Sequence, residues 1–449
     1  MIGRVVRVTH PLQVRARALH YVIRSSKLPS PAETIYPNQY FRDDPEGTKV
    51  CELGFVEEAL GMPAPDGYGW AQLEFGERVG PNNRYTIARK LGWGMGSSTW
   101  LARDERDGGF VAVKALTGYH TDLYEKAVTW EADAFRLLSY QPRSPHCTPL
   151  LNEFTVEGKG SSGSHMCFVM PVYGGDVKAL QRSRPAHFPL PLAKRISLHL
   201  LRGLAHMHER GVVHTDLKHD NIFYTTTKTS EDIEEWMAND PPRRNEPEFS
   251  DDGVMQSAVS QPLPIISEEE VLQATYVLGD FGVAHPSKLH PNREVSPVAL
   301  RSPEVYLGAG WDKPTDIWSF GCLVYEIVTG TNLFKYQKNK KFDLTETENM
   351  LYQMLLYTEE DFRADQLRVS PRAPEYFRSD CALFLCCQML KEPIIFNWSI
   401  TEHLKDKNIL SPEEIEQVAN LVERCLRLNP ETRETASELL KHPWFDGVD

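Results

Sequence analysis

The amino-acid sequence predicts an α+β fold of two lobes, a small antiparallel β lobe with one key helix and a larger, mainly helical lobe. Short strand-like runs, separated by glycine-rich or charged turns, fill residues 84–174. From 175 to 445, apolar residues recur instead at the spacing of helices. The 449 residues are 41% hydrophobic and 10% aromatic, which is enough for a large core and excludes wholesale disorder.

Each lobe has its own pattern of elements. In the small lobe, alternation predicts strands at Tyr85–Leu91, Ser98–Arg103, Phe110–Ala115, Thr148–Phe154 and Met166–Val172, and apolar spacing predicts a helix at Asp122–Ser139. In the large lobe, the helical period predicts Leu192–Arg210, Pro314–Gly330, Pro412–Leu428 and Glu431–Lys441.

Three further segments lie outside this pattern. The leader, residues 1–32, has the composition of a mitochondrial transit peptide, and a disordered basic tail would have the same composition. Residues 33–83, rich in Pro, Gly and Asn, are predicted to form an irregular extension. Residues 225–275, rich in proline and acids, are predicted to form a largely irregular surface insertion, with a helical turn or two around Glu231–Met237.

The formal charge of −13 is unevenly distributed among these segments. Residues 1–32 carry six basic side chains and no acid, residues 225–275 carry three basic and twelve acidic side chains, and the remainder carries −10. This acidic balance excludes general nucleic-acid binding and suits a basic protein partner. No apolar run approaches the ~18 residues of a membrane span, so no membrane partner is expected. No feature of the sequence indicates an oligomeric state.

The cysteines indicate a reducing environment. The eight cysteines include no CxxC pair, and their spacings match no metal site that we recognise. Most lie in apolar stretches, where a reduced cysteine acts as a small hydrophobic residue. We therefore expect a cytoplasmic or nuclear protein, and the basic leader leaves mitochondrial import open.

A glycine-rich turn lies between the first two predicted strands. Residues 91–99 read Leu-Gly-Trp-Gly-Met-Gly-Ser-Ser-Thr, and such glycines let backbone N–H groups approach phosphate oxygens. On a following strand, Lys114 lies among apolar neighbours, where a buried cation needs a partner, and Glu131 on the next helix is the obvious one. Each feature alone also fits an ordinary hairpin turn or a pair of surface charges.

The segment His214–Asn221 carries the strongest chemical signal. Asp216, Lys218 and Asn221 supply the carboxylate, the lysine and the amide that phosphoryl transfer needs. The carboxylate accepts the proton of an attacking hydroxyl, the lysine neutralises the charge being transferred, and the amide oxygen binds a metal. Further along, an apolar strand ends in Asp280, whose hard oxygen can ligate Mg²⁺.

Taken in order, these motifs resemble those of the protein kinases. The set comprises the glycine-rich turn, Val111–Lys114, Glu131, the segment around Asp216, Asp280–Gly282, Arg301–Glu304, Asp316–Gly321 and Arg433, and the resemblance covers residues 84–445. The turn at 91–94, the His-Thr-Asp catalytic loop and Arg301 resemble the serine/arginine-rich protein kinases (SRPK-like), particularly fungal forms. Those kinases phosphorylate serines flanked by arginine.

The resemblance implies an ATP- and Mg²⁺-dependent Ser/Thr protein kinase with a basic, arginine/serine-rich protein substrate. It implies that Asp216 is the catalytic base, that Lys218 contacts phosphate, and that Asn221 and Asp280 hold Mg²⁺. Asp220 would receive an arginine of the substrate, although a loop acid facing water fits equally well. The residues implied around ATP are Leu91, Gly92, Trp93, Gly94, Met95, Gly96, Thr99, Ala112, Lys114, Glu131, Met170, Val172 and Tyr173.

Two departures from the family pattern bear on regulation and specificity. Thr215 stands where other kinases use an arginine to pair with a phosphate on the activation loop. Ser287 and Ser296 are the only phosphorylatable residues between Gly282 and Ser302, so activity without loop phosphorylation is predicted. A β-branched residue such as Val283 leans toward threonine acceptors in kinases, which puts a serine preference in doubt.

Two other functions fit parts of the sequence. A pseudokinase or scaffold would bind nucleotide and partners without turnover, but Lys114, Glu131, Asp216, Asn221 and Asp280 are all present, whereas degenerate kinases usually lack one. A small-molecule kinase is disfavoured by Arg301–Glu304 and Arg433, which belong to the protein-substrate apparatus of the kinases that the chain resembles.

Overall fold

The segment that precedes the small lobe folds into a three-stranded antiparallel sheet. The structure is a computed structural model that describes residues 21–25, 35–43, 49–184, 187–288, 294–378, 389–395 and 398–449. The strands are β1 (Tyr21–Ser25), β2 (Gln39–Asp43) and β3 (Lys49–Phe55), in the order β1-β3-β2. The prediction of irregular backbone over 33–83 is therefore wrong at β2 and β3, where strand pairing overrides a turn-forming composition. Apart from β1, the leader lies outside the described residues.

A six-stranded antiparallel sheet forms the small lobe. Its strands are β4 (Arg78–Val79), β5 (Tyr85–Gly94), β6 (Ser97–Asp104), β7 (Phe110–Leu116), β8 (Asn152–Glu157) and β9 (Ser164–Met170), in the order β4-β5-β6-β7-β9-β8. The predicted strands at β5, β6 and β7 are confirmed, and the last two are offset by a few residues. One face of the sheet forms a hydrophobic cluster within the lobe, and the other faces the large lobe.

The single helix predicted at Asp122–Ser139 is wrong. The chain forms α1 (Gly118–Glu125) and α2 (Glu131–Ser139), with Ala127 at a φ of 54° between them. The residues of the break, Val128 and Thr129, are β-branched and favour a helix less than their neighbours do. As a consequence Glu131 lies in the first turn of its own short helix.

The large lobe begins after β9. Its first elements are β10 (Tyr173–Asp176), α3 (Val177–Arg182), α4 (Leu190–Glu209), β11 (Val212–Val213) and β12 (Ile222–Thr225). The helix predicted at Leu192–Arg210 is confirmed as α4, whose apolar stripe is buried in the core of the lobe.

The insertion at 225–275 is more regular than predicted. It contains α5 (Ser230–Asn239), β13 (Glu248–Ser250), β14 (Gly253–Met255) and α6 (Glu268–Gln273). Both helices begin with a capping box, at Thr229 and Ser267, which satisfies backbone N–H groups of their first turns. The helical turns predicted around Glu231–Met237 are confirmed as α5, and the expectation of irregular backbone is wrong for β13, β14 and α6.

After the insertion the chain completes the large lobe. The elements are β15 (Tyr276–Leu278), β16 (His285–Pro286), α7 (Pro303–Tyr306), α8 (Pro314–Thr329), α9 (Glu346–Thr358), α10 (Ala364–Arg368), α11 (Ile400–Lys407), α12 (Pro412–Cys425) and α13 (Ala436–Leu439). Strands β10, β12 and β15 form a small antiparallel sheet, with β12 in the centre. Among the described residues, no helix combines the length and the apolar character needed to cross a membrane.

Two helix predictions near the end of the chain differ in outcome. The helix predicted at Pro412–Leu428 is confirmed as α12, although it ends earlier. The helix predicted at Glu431–Lys441 is wrong as one continuous helix, because a 3-10 turn at Pro430–Thr432 is followed by a break before α13. Thr435 caps α13 by accepting a hydrogen bond from the Glu438 N–H. The break leaves Arg433 outside the helix, where its side chain reaches the buried Glu304.

Candidate active site

The glycine-rich turn forms the tip of the hairpin between β5 and β6. Gly94 pairs with Ser97, and Met95, 75% exposed, lies at the tip with Gly96. A Cβ atom added at Gly92 or Gly94 would meet no atom within 4 Å, so open space lies beside this backbone. The hairpin therefore offers N–H groups to a space that a nucleotide can occupy.

The predicted nucleotide-contacting side chains of the sheet share one face. Thr99 lies directly opposite Lys114, and Lys114 lies opposite Phe168. Ala112, two residues before Lys114, lies opposite Met170. Because side chains alternate along a strand and opposite residues share a face, Thr99, Ala112, Lys114 and Met170 face the large lobe together.

Lys114 is shared by two carboxylates. Its ammonium group contacts Glu131 at the start of α2 and lies 2.8 Å from Oδ1 of Asp280, which follows β15 by two residues. Burial lowers the pKa of Lys114, but the two carboxylates outweigh it and hold the pKa above its usual value. Burial raises the pKa of Glu131, and the charge of Lys114 opposes that effect. One cation thus links the small lobe to the residue predicted to hold a metal.

The charge of Lys114 lowers the pKa of Asp280 to about 2, so this carboxylate is ionised at neutral pH. Its side chain is 42% exposed, whereas that of Glu131 is only 6% exposed. Phe281, fully buried, stacks edge-on against Phe135 of α2, with ring centroids 4.9 Å apart. The aromatic contact therefore fixes the backbone that presents Asp280 to the cleft.

The loop that carries Asp216 is held by a buried carboxylate of α8. Asp316 accepts hydrogen bonds from the backbone N–H groups of His214 and Thr215, each at 2.8 Å, and from His208 Nε2 at 3.0 Å. Thr215 has a φ of 66°, a strained conformation for a β-branched residue that these bonds help to hold. Position 216 is therefore set by the core of the large lobe.

Asp216, Lys218 and Asn221 form one hydrogen-bonded group. Lys218 Nζ lies 2.6 Å from Asp216 Oδ2, and Asn221 Nδ2 donates to the same oxygen at 3.0 Å and to the Asp216 carbonyl at 2.8 Å. Since Nδ2 makes these bonds, the Asn221 amide oxygen Oδ1 faces away from Asp216 and is available as a ligand. The Gly279 N–H donates to the Asn221 carbonyl at 3.0 Å, which ties this group to Asp280.

These donors fit a divalent metal. Magnesium prefers hard oxygen ligands and usually takes only one or two carboxylates from the protein. An ionised carboxylate at Asp280 and an amide oxygen at Asn221 are such a set. Among the described residues, no three His, Cys, Asp or Glu side chains converge as a metal site.

The predicted adenine-binding residues lie where β9 leaves the small lobe. Tyr173 stacks on Phe223 of β12 with rings 5.4 Å apart, and burial raises its pKa to about 12. Leu91 and Val172 belong to a hydrophobic cluster completed by Ile233 and Leu263 of the insertion. Apolar spacing does not identify a partner elsewhere in the chain, so the contact between the insertion and this pocket could not be predicted from the sequence.

Asp220 has an acidic neighbour that the sequence did not single out. Asp176, the N-cap of α3, accepts a hydrogen bond from the Ala179 N–H at 2.7 Å. Burial raises the pKa of Asp176, and the negative charge of Asp220 raises it further. The charges of Asp176 and Asp220 together favour a cation beside this loop.

The described parts of the segment between Asp280 and Glu304, residues 281–288 and 294–303, make hydrogen bonds to Thr215 and Arg301. Thr215 Oγ1 donates to the Val283 carbonyl at 2.7 Å. Arg301 donates to the carbonyls of Val295 and Ser296, at 2.9 and 3.2 Å, and pairs with Glu294 at 2.7 Å. These hydrogen bonds order the described parts of the segment, a role that a phosphate group on this loop would otherwise have.

Comparisons with known proteins agree with this geometry. A family model described as the protein kinase domain matches residues 85–234 and 265–445. The chain is 28% identical over 396 residues to "Serine/threonine-protein kinase SRPK" of Physarum polycephalum, covering 85% of this chain and 89% of that protein. It is 28% identical over 410 residues to "Serine/threonine-protein kinase AFC3" of Arabidopsis thaliana, covering 90% and 92%. For "Serine/threonine-protein kinase AFC2" of the same plant the identity is 27% over 379 residues, covering 83% and 79%.

Proposed function

The chain belongs to the protein kinase family, and on this premise we propose that it phosphorylates serine and threonine in arginine-rich proteins, with Mg²⁺ as its metal. As a protein serine/threonine kinase it uses ATP with a divalent metal and acts on protein substrates. The observation that carries the proposal is one connected set of charges, in which Lys114 meets Glu131 and Asp280 while Asp216 meets Lys218 and Asn221.

Asp216 is the group we assign to the substrate hydroxyl. Its carboxylate is 22% exposed, so an incoming serine or threonine can reach it, and its ties to Lys218 and Asn221 fix its orientation. There it orients the hydroxyl and accepts its proton as the oxygen attacks phosphorus. Lys218, held 2.6 Å from Asp216, places a positive charge beside the transferring group.

Lys114 and the glycine-rich turn are the groups we assign to the phosphates of ATP. The ammonium group of Lys114 remains charged because two carboxylates surround it, and Glu131 holds it in place. A magnesium ion held by Asn221 and Asp280 would neutralise part of the phosphate charge. Leu91, Val172 and Tyr173 lie where the adenine ring would bind.

The acidic pair Asp176 and Asp220 supports the arginine preference. A guanidinium group can bind carboxylates in a bidentate manner, and its charge would relieve the repulsion between the two acids. The name of the Physarum polycephalum relative, SRPK, agrees with this class of substrate. We therefore assign Asp220 and Asp176 to an arginine that flanks the phosphorylated residue.

The substrate assignment is tested with two peptides and one variant. An arginine/serine peptide should be phosphorylated with a kcat/KM at least about tenfold above that of the same peptide with alanine for arginine, since a hydrogen-bonded charge pair is lost. Asp220→Asn should reduce this ratio without changing the KM for ATP. If the variant slows both peptides equally, Asp220 does not read arginine, and if the wild-type protein phosphorylates neither peptide, the proposed function fails.

Activity should not require phosphorylation of the loop after Asp280. Ser296 Oγ is buried and has no hydrogen-bond partner among the described residues, and Ser287 Oγ donates to Asp312 at 3.1 Å. The double variant Ser287→Ala/Ser296→Ala is expected to keep kcat/KM within about twofold of wild type. Among the described residues Ser296 Oγ has no hydrogen bond to lose, and losing the Ser287–Asp312 bond leaves the bonds of Thr215 and Arg301 in place. A purified protein freed of phosphate should give the same result, and loss of activity in the double variant would contradict it.

A further inference from the structure

We propose that Trp70 is a positioning residue that clasps the glycine-rich turn from outside the catalytic domain and sets the affinity for ATP. Trp70 lies in the extension before β4, a segment that the kinase family model does not match. The inference rests on the proposed function, since the turn matters only if the protein binds ATP.

The clasp is a direct hydrogen bond to the backbone of the turn. Trp70 Nε1 donates to the Gly94 carbonyl at 3.1 Å, and Trp70 is only 2% exposed. In a planar trans peptide the C=O and the following N–H point in opposite directions. Fixing the Gly94 carbonyl therefore also fixes the direction of the Met95 N–H at the tip of the hairpin.

A second contact joins the same two segments. The ring of Trp93, a residue of the turn itself, stacks edge-on against Trp70 with centroids 6.2 Å apart and planes at 85°. Trp93 thereby packs against a hydrophobic cluster of the extension, formed by Cys51, Leu53, Phe55, Ala59, Leu60, Met62 and Trp70. We call this cluster the extension core.

The strand that leads into the turn is anchored to the extension as well. Lys90, fully buried on β5, contacts Glu58 and lies 3.0 Å from Glu57 Oε2. Both carboxylates belong to the extension, just after β3. A buried charge pair resists displacement because separating it would leave charges unpaired. The extension therefore contacts the hairpin at two places. Glu57 and Glu58 bind Lys90 at its base, and the indole of Trp70 binds the Gly94 carbonyl near its tip.

The insertion keeps the extension core in place. Val56 N–H donates to Glu248 Oε1 at 3.0 Å, and the Asn38 side chain exchanges two hydrogen bonds with the Phe249 backbone, each at 2.9 Å. Gly61, at a φ of 71°, approaches Ser250 so closely that a Cβ there would lie 2.2 Å from its Oγ. The extension core that contains Trp70 is therefore fixed to the insertion by these hydrogen bonds.

The tip of the hairpin has one further support, from the catalytic domain. Thr117 N–H donates to the Gly96 carbonyl at 2.9 Å, and the ring of His120 lies against Gly96. The turn is therefore held at Gly96 from within the domain and at Gly94 from outside it. Removing the outer contact should loosen the turn without unfolding the lobe.

The test uses Trp70→Phe, which removes the indole N–H and keeps an aromatic ring in the extension core. We expect the Kd for ATP, measured by calorimetry without turnover, and the KM for ATP to rise about three- to tenfold, the range that one net hydrogen bond supports. The KM for peptide should stay unchanged. Trp444→Phe is the matched control, because its indole Nε1 has no hydrogen-bond partner among the described residues and lies in the large lobe.

Amide hydrogen exchange separates positioning from general destabilisation. In Trp70→Phe, exchange should accelerate in a fragment covering residues 90–99 and remain as in wild type in the large lobe. An unchanged Kd for ATP, or exchange that accelerates equally throughout the protein, would overturn the clasp. A wild-type protein that binds ATP but phosphorylates no peptide would overturn the proposed function and leave the binding test of the clasp valid.

Discussion

Replacing Asp216 by asparagine is expected to lower kcat for peptide phosphorylation by about 10²–10⁴-fold, the usual contribution of a positioned general base. Asparagine has the same shape, but its amide cannot accept the hydroxyl proton. Lys218 would lose the charged partner that now lies 2.6 Å away. The measurement is phosphate incorporation from labelled ATP into the arginine/serine peptide.

The same isosteric change at Asp343, a fully exposed carboxylate, serves as the control and should leave kcat within about twofold. The Kd of Asp216→Asn for ATP should stay near that of wild type, because the Asp216 side chain bonds to Lys218 and Asn221, not to Lys114 or the glycine-rich turn. Equal incorporation by Asp216→Asn and wild type would show that Asp216 is not the base.

Arg433→Met is expected to lower the free energy of unfolding by about 3–5 kcal/mol, because it leaves the buried carboxylate of Glu304 without its charged partner. Arg433 has a fully buried side chain that donates to both oxygens of Glu304, at 2.6 and 2.7 Å. It also donates to the carbonyls of Arg427 and Pro314, at 2.8 and 3.0 Å. Methionine fills a similar volume and replaces none of these bonds.

Urea unfolding followed by circular dichroism measures this loss. The control is Arg427→Met, since Arg427 is 48% exposed and pairs with Glu360 at the surface. Exposed pairs contribute at most about 1 kcal/mol, so the control should shift the midpoint only slightly. Similar losses in the two variants would mean that the buried pair contributes no more to the free energy of unfolding than the exposed pair does. Arg433→Lys should rescue little, because lysine lacks the planar fork that binds both oxygens.

The sequence predicted best those features that depend on neighbours along the chain. Lys114 and Glu131 are only 17 residues apart, and the group around Asp216 spans a few residues of one loop, so local spacing is sufficient to identify them. The fold class followed because strand and helix periods differ and each lobe is dominated by one of them.

Two of the features that the sequence did not predict depend on pairs of residues in different segments of the chain. Trp70 acquires its role from Gly94, and Asp176 from Asp220, and neither pairing leaves a periodic signal. The break near Ala127 was missed because the apolar spacing of α2 continues across it. The strands β2 and β3 were missed because the composition of residues 33–83 favours turns, and pairing within the three-stranded sheet stabilises them as strands.

The insertion supplies part of the core of the small lobe, although it is synthesised after all the strands of that lobe. Ala258 belongs to the hydrophobic cluster inside the six-stranded sheet, and its carbonyl accepts a hydrogen bond from Lys90 at 3.2 Å, across 168 residues of sequence. The Gln261 N–H donates to the Lys90 carbonyl at 2.9 Å. The core of the small lobe is therefore complete only after Gln261 has left the ribosome, well after the lobe's own strands. The insertion and the small lobe thus complete their packing together, although the insertion belongs to the large lobe in the order of the chain.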